Sequence, residues 1–212
     1  MIVGVSGAKR ALVPRGAHPV PAYGRAGCYS FDVEGQCGDS KQDLDLVVRS
    51  AIESCQCLRA FLDMPEAQMR EVMSADCRDR LLGGGETTLR AKAREIVTGA
   101  LYQQCQRGPK IKCLRTKGLF CGDDDAYVWM WRGRARGRIR ICPQFYSSNV
   151  PVKSMLHEML HFGGAVDGDR EKERYHADTI AGCIIKACGH WSGGGPPRDG
   201  TLPPSRLTDR PM

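Results

Sequence analysis

Eleven cysteines, spread from Cys28 to Cys188, constrain this chain more than any other feature. In 212 residues that density favours an oxidised product held by several disulfides, made for a secreted or extracytoplasmic setting. The odd count leaves at least one thiol free or bonded to another chain. With 42% hydrophobic and 26% charged residues, the chain is expected to form one globular domain flanked by tails. No stretch approaches the roughly 18 apolar residues that a spanning helix needs, so no membrane partner is expected. Met1 to Leu12 lack the apolar core of a secretory signal.

Three segments follow from composition and periodicity. Residues 1–39 are rich in Gly, Pro and small residues and read as an irregular arm or pro-segment. Residues 40–190 read as the folded domain. Residues 191–212, dominated by Gly, Pro and Arg, read as a disordered tail. Within the domain, Leu44, Val47, Val48, Ala51, Ile52 and Cys55 recur at helical spacing, with Ser40 or Asp43 as cap. Further helices are expected over 65–81, with Pro65 in the first turn, and over about 87–105. Ala126–Trp131 is aromatic and β-branched, and Arg138–Cys142 alternates; both read as strands. Helices are expected again over 152–162, stopped by Gly163-Gly164, and over about 170–188. The sum is an α+β fold, mainly helical, with a small sheet.

The net charge of +7 is concentrated in the arginine run from Arg132 to Arg140. Such a run can meet phosphate or an acidic surface, but the plainer reading is a solvated hairpin turn. It lacks the aromatic interleaving of a nucleic-acid module, so no nucleic-acid partner is expected. The acidic run Asp123-Asp124-Asp125 reads as a solvated turn.

The chemistry lies in His157-Glu158-Met159-Leu160-His161, an H-E-x-x-H motif on the 152–162 helix. Positions i and i+4 share a helix face, so both imidazoles can reach one metal. Glu158, beside that face, can serve as general base towards a water whose pKa a bound Zn2+ lowers to ~7. A catalytic zinc needs a third protein ligand and an open position. Asp167, Asp169, Glu171, Glu173, His176 and Asp178 lie downstream, and spacing alone does not choose among them.

Beyond the motif, His161-Phe162-Gly163-Gly164-Ala165-Val166-Asp167 is similar to the G-[GT]-x-x-D continuation of the aspzincins. These are the deuterolysin-like and lysine-specific zinc metallo-endopeptidases. Ala126-Tyr127-Val128, Ile141-Cys142 followed by Phe145-Tyr146, and His176-Ala177-Asp178 resemble further family segments. The resemblance covers about 113–188. It implies a zincin-like fold with the sheet beside the active-site helix, and zinc held by His157, His161 and Asp167. It also implies a Cys121–Cys142 bridge and Asp178 supporting the site from behind. The reaction implied is zinc-dependent endopeptidase hydrolysis of a protein or peptide, by a chain expected to be a monomer. The family's oxyanion-stabilising tyrosine is replaced by Arg170, which can do the same work, and Tyr175 lies five residues on. The segment from Asp167 to Asp178 is shorter than in typical members. The competing reading is a disulfide-rich basic binding protein with a structural or degenerate metal site.

Overall fold

The computed structural model describes residues 18–19, 30–35, 37–38, 40–83, 89–108, 110–114, 121–168 and 173–189. Among them, helices pack on one face of a small mixed sheet, an α+β arrangement. The strands are β1 (His18–Pro19), β2 (Ser30–Glu34), β3 (Lys110–Cys113), β4 (Ala126–Trp131) and β5 (Arg134–Ile141). The helices are α1 (Lys41–Asp63), α2 (Glu66–Val72), α3 (Ala75–Leu81), α4 (Ala91–Ala100), α5 (Pro151–Gly163) and α6 (Ala177–Ala187). None of these helices is long and apolar enough to cross a membrane.

The strand order is β1-β2-β3-β5-β4. β2, β3 and β5 run parallel to one another, whereas β1 pairs antiparallel with β2 and β4 antiparallel with β5, at the two edges. Register puts Val33, Ile111 and Ile139 in one fully buried row facing the helices. The next row, Glu34, Lys112, Arg140 and Tyr127, lies on the opposite face, because successive side chains alternate. Arg138 Nη2 meets Glu34 Oε2 there at 2.9 Å.

Several sequence expectations change in detail. Residues 30–34 belong to the sheet rather than to an irregular arm, with Phe31 and Val33 buried. The helix expected over 65–81 is two short helices. Ser74 breaks it, because its hydroxyl accepts the Cys77 N–H at 3.4 Å and starts α3. The helix expected over 87–105 begins at Ala91 and widens into a π-helical turn, Leu101–Gln106. The arginine run is mostly strand: only Arg132 and Gly133, with φ of 50° and 71°, make the turn. The last helix starts at Ala177, because His176 is extended and bridges to Val166. Ser40 and Asp43 both cap α1, each side chain taking the other's backbone N–H, at 3.2 and 2.9 Å. Residues 1–17, 20–29 and 190–212, which hold most of the expected arm and the tail, lie outside the described residues.

Five disulfides join Cys37–Cys113, Cys55–Cys105, Cys57–Cys188, Cys77–Cys183 and Cys121–Cys142. Cys28 lies outside the described residues. The bridges tie α1 to the turn after α4 and to the end of α6, and α3 to α6. Such bonds fit an oxidising compartment.

Helix α5 sits at the centre, against α1, α4, α6 and the β4–β5 pair. Met155, Leu156, Met159 and Leu160 are fully buried. At its end α4 and α5 cross so closely that a Cβ on Gly163 would land on the Ile96 carbonyl. Alanine normally stabilises a helix by about 1 kcal/mol over glycine. Gly163→Ala is instead expected to destabilise the protein by about 1–3 kcal/mol through overpacking, read from urea unfolding. A neutral or stabilising result would show that the crossing has slack.

Candidate metal centre

The site is built by the end of α5 and the turn that follows it. Gly164 takes φ of 101°, a left-handed conformation suited to glycine, and its N–H reaches the His161 carbonyl at 3.0 Å. Ala165 N–H then bonds the Leu160 carbonyl at 3.1 Å. This turns the chain back along the helix, and the Ala165 carbonyl lies 3.0 Å from His161 Nδ1. A carbonyl only accepts, so Nδ1 carries the proton and donates. In the neutral ring, Nε2 therefore holds a lone pair directed away from the helix axis.

Two more backbone bonds hold the following loop. Val166 N–H donates to the Tyr175 carbonyl at 3.2 Å, and Ala177 N–H donates to the Val166 carbonyl at 2.9 Å. Asp167 is thereby set against both histidines. Its Oδ2 is 3.0 Å from His161 Nε2 and its Oδ1 is 3.2 Å from His157 Nε2. The two Nε2 atoms are 3.1 Å apart. Donors at zinc bond lengths of 2.0–2.1 Å in tetrahedral array lie about 3.3 Å from one another, so the spacing fits. The chemistry fits as well. The His161 lone pair, a second imidazole nitrogen and a carboxylate face one point, and a proton or cation there relieves their repulsion. Burial raises the Asp167 pKa, but the imidazolium forms of His157 and His161, which donate to it and attract it, outweigh that and hold the carboxyl well below its usual range.

Glu158 lies on the inner side, buried, with Oε1 3.8 Å from His157 Nε2. His157, Glu158 and His161 present possible ligand atoms within 4.8 Å of one another. Desolvation, with the nearby Asp167 and Asp124 charges, pushes the Glu158 pKa well above the ordinary carboxylate range. The Val128 backbone amide lies beside Glu158 and partly opposes that rise. Val128 sits where the β4–β5 register slips, so the strand irregularity brings a backbone amide to the site.

The other expected residues are less central. His176 caps α6, its Nδ1 accepting the Asp178 N–H at 3.2 Å, and its ring centre is 6.5 Å from that of His157. Asp178 Oδ1 is 3.9 Å from His157 Nδ1, a charge neighbour rather than a hydrogen bond. Tyr175 is half-buried in the turn before α6, and Glu173 is exposed. Arg170, Asp169 and Glu171 lie outside the described residues. The acidic run is not wholly a solvated turn: Asp125 is half-buried and accepts from Ser148 and Ser154 hydroxyls, both at 2.6 Å. Sequence reasoning missed three contributors: the Ala165 carbonyl, the Val128 N–H and Lys153. Lys153 Nζ meets Asp178 Oδ1 at 2.6 Å, and its place four residues before His157 was a readable signal.

The Ala165 contact makes a spectroscopic prediction. In the metal-free protein at neutral pH, long-range proton–nitrogen NMR should find His161 with its proton on Nδ1. A proton on Nε2 alone would contradict the geometry.

No family model matches the chain, and no curated protein does. Among solved structures the chain is similar to a zinc peptidase from Grifola frondosa. The two share 14% sequence identity, with 72% of this chain and 98% of that chain covered and a TM-score of 0.49.

Proposed function

We propose that this protein is a zinc-dependent metallo-endopeptidase acting in an oxidising, extracytoplasmic compartment. The observation that carries the reading is the convergence of His157 Nε2, His161 Nε2 and both Asp167 carboxylate oxygens at 3.0–3.2 Å, with buried Glu158 alongside. His157, His161 and Asp167 are the residues that would hold zinc. Zinc held there supplies a Lewis acid that lowers the pKa of a water towards ~7 and polarises the scissile carbonyl.

Glu158 takes the proton of the attacking water and delivers it to the leaving amine nitrogen. Its burial suits the task, since a glutamate with a raised pKa keeps a proton long enough to pass it on. Asp178, paired with Lys153, places a fixed negative charge behind His157 and supports its orientation. The role of oxyanion partner falls to Arg170 or Tyr175 on the family resemblance alone. His176 is spoken for as the α6 cap, which favours Asp167 as third ligand.

Wild-type protein is expected to carry one zinc per chain by elemental mass spectrometry and to degrade a denatured protein substrate. Glu158→Gln should keep the zinc and lose activity by a factor on the order of 10³ or more. Asp167→Ala should lose both. Zinc in every variant with no hydrolysis in any, over several substrates, would instead indicate a structural site.

A further inference from the structure

The far end of the β4–β5 hairpin is not used by the chemistry above. Among the described residues five large hydrophobic side chains are exposed, and three are consecutive: Trp129 at 44%, Met130 at 38% and Trp131 at 65%. Neighbours on a strand point to opposite faces. Exposure of all three therefore means that the hairpin end stands clear of the body on both sides. The Arg132–Gly133 turn closes it, and Trp131 and Trp129 pair across it with Arg134 and Arg136. From Ala126 to Ile141 there are arginines at 132, 134, 136, 138 and 140 and no acidic residue. Arg138 is engaged with Glu34, and the Arg140 guanidinium lies 5.2 Å from the Trp129 ring and 5.6 Å from that of Tyr127. Arg132, Arg134 and Arg136 are exposed around the apolar tip.

An apolar wedge ringed by cations matches the boundary of an anionic bilayer. Indole rings and a flexible thioether suit the layer between acyl chains and headgroups, and guanidinium groups suit the phosphates above it. A nucleic-acid strand would call for open aromatic faces on one side of the sheet. Here Arg140 lies over Trp129, and Met130 projects from the other side.

We propose that the β4–β5 hairpin tip is a peripheral docking element for anionic phospholipid membranes, seating Trp129, Met130 and Trp131 in the interface with Arg132, Arg134 and Arg136 on the headgroups. The sequence-based expectation of no membrane partner rests on the lack of a spanning segment, and a docking tip needs none. Trp131 lies roughly 10 Å along the strand from Val128, whose backbone lies beside Glu158, so docking holds the candidate metal centre near the bilayer surface.

The test is co-sedimentation of the full chain with phosphatidylcholine vesicles, with and without a third of phosphatidylserine, at low and physiological salt. Wild type should bind the phosphatidylserine vesicles, more strongly at low salt, and leave pure phosphatidylcholine vesicles unbound. Its tryptophan emission should shift to the blue and be quenched by brominated lipid. The Trp129→Ser, Met130→Ser, Trp131→Ser triple variant should bind at least ~10-fold more weakly while keeping wild-type circular dichroism. Arg132→Gln, Arg134→Gln, Arg136→Gln should remove the salt-sensitive part. Glu158→Gln should bind like wild type, which separates this outcome from that of the peptidase reading. No wild-type binding to anionic vesicles at low salt would overturn the proposal, as would equal binding by the triple variant. Capture of heparin or a single-stranded oligonucleotide under conditions where vesicles are left unbound would also overturn it.

Discussion

The close passage of α4 and α5 at Gly163 governs much of what surrounds it. With no side chain at that point, the backbones of Ile96, Ala100 and Gly163 can approach, and α5 is held at a fixed height among its neighbours. The next residue turns through a left-handed conformation, and the turn returns a carbonyl to His161 and a carboxylate to both imidazoles. The metal-facing geometry is thus a result of helix packing. A sliding of α5 by one residue would move it by about 1.5 Å and rotate both histidines out of line with Asp167.

Much of this was readable before any coordinates. The periodicity of Val152, Met155, Leu156, Met159 and Leu160 is strong because a helix enclosed on several sides must bury a wide face. His157 and His161 were readable for the same geometric reason. Asp167 is a different case. Six candidates stood downstream, and only the resemblance of the glycine turn singled it out, because a loop ligand is placed by backbone hydrogen bonds that leave no periodic trace. Strand β2 was overlooked although Phe31 and Val33 alternate with Asp32 and Glu34. Five residues give too short a repeat to stand out from a Gly- and Pro-rich neighbourhood. The split at Ser74 and the late start of α6 at Ala177 both turn on capping side chains that compete with an otherwise adequate helical pattern.

The sheet divides its labour between two faces and two ends. Its inner face supplies the apolar rows beneath α5, while its outer face carries an alternation of acid, base and aromatic groups. The β4–β5 hairpin belongs to both worlds. Near Ala126 it is buried and walls the site, and near Trp131 it projects. The slip at Val128 marks the change between the two, and it is also where the strand backbone comes beside Glu158.

The order of the disulfides along the chain has a consequence for how the molecule comes into being. Cys57 waits for Cys188 across 131 positions, and Cys77 waits for Cys183 across 106. Both partners lie in or just beyond α6, the same helix that brings Asp178 behind His157. A chain emerging from its amino end can close Cys37–Cys113, Cys55–Cys105 and Cys121–Cys142 early, but the second bridge of α1 and the bridge of α3 must wait for α6. The H-E-x-x-H helix is thus synthesised before the element that backs it. The candidate metal centre is therefore completed only when the last of these bridges closes.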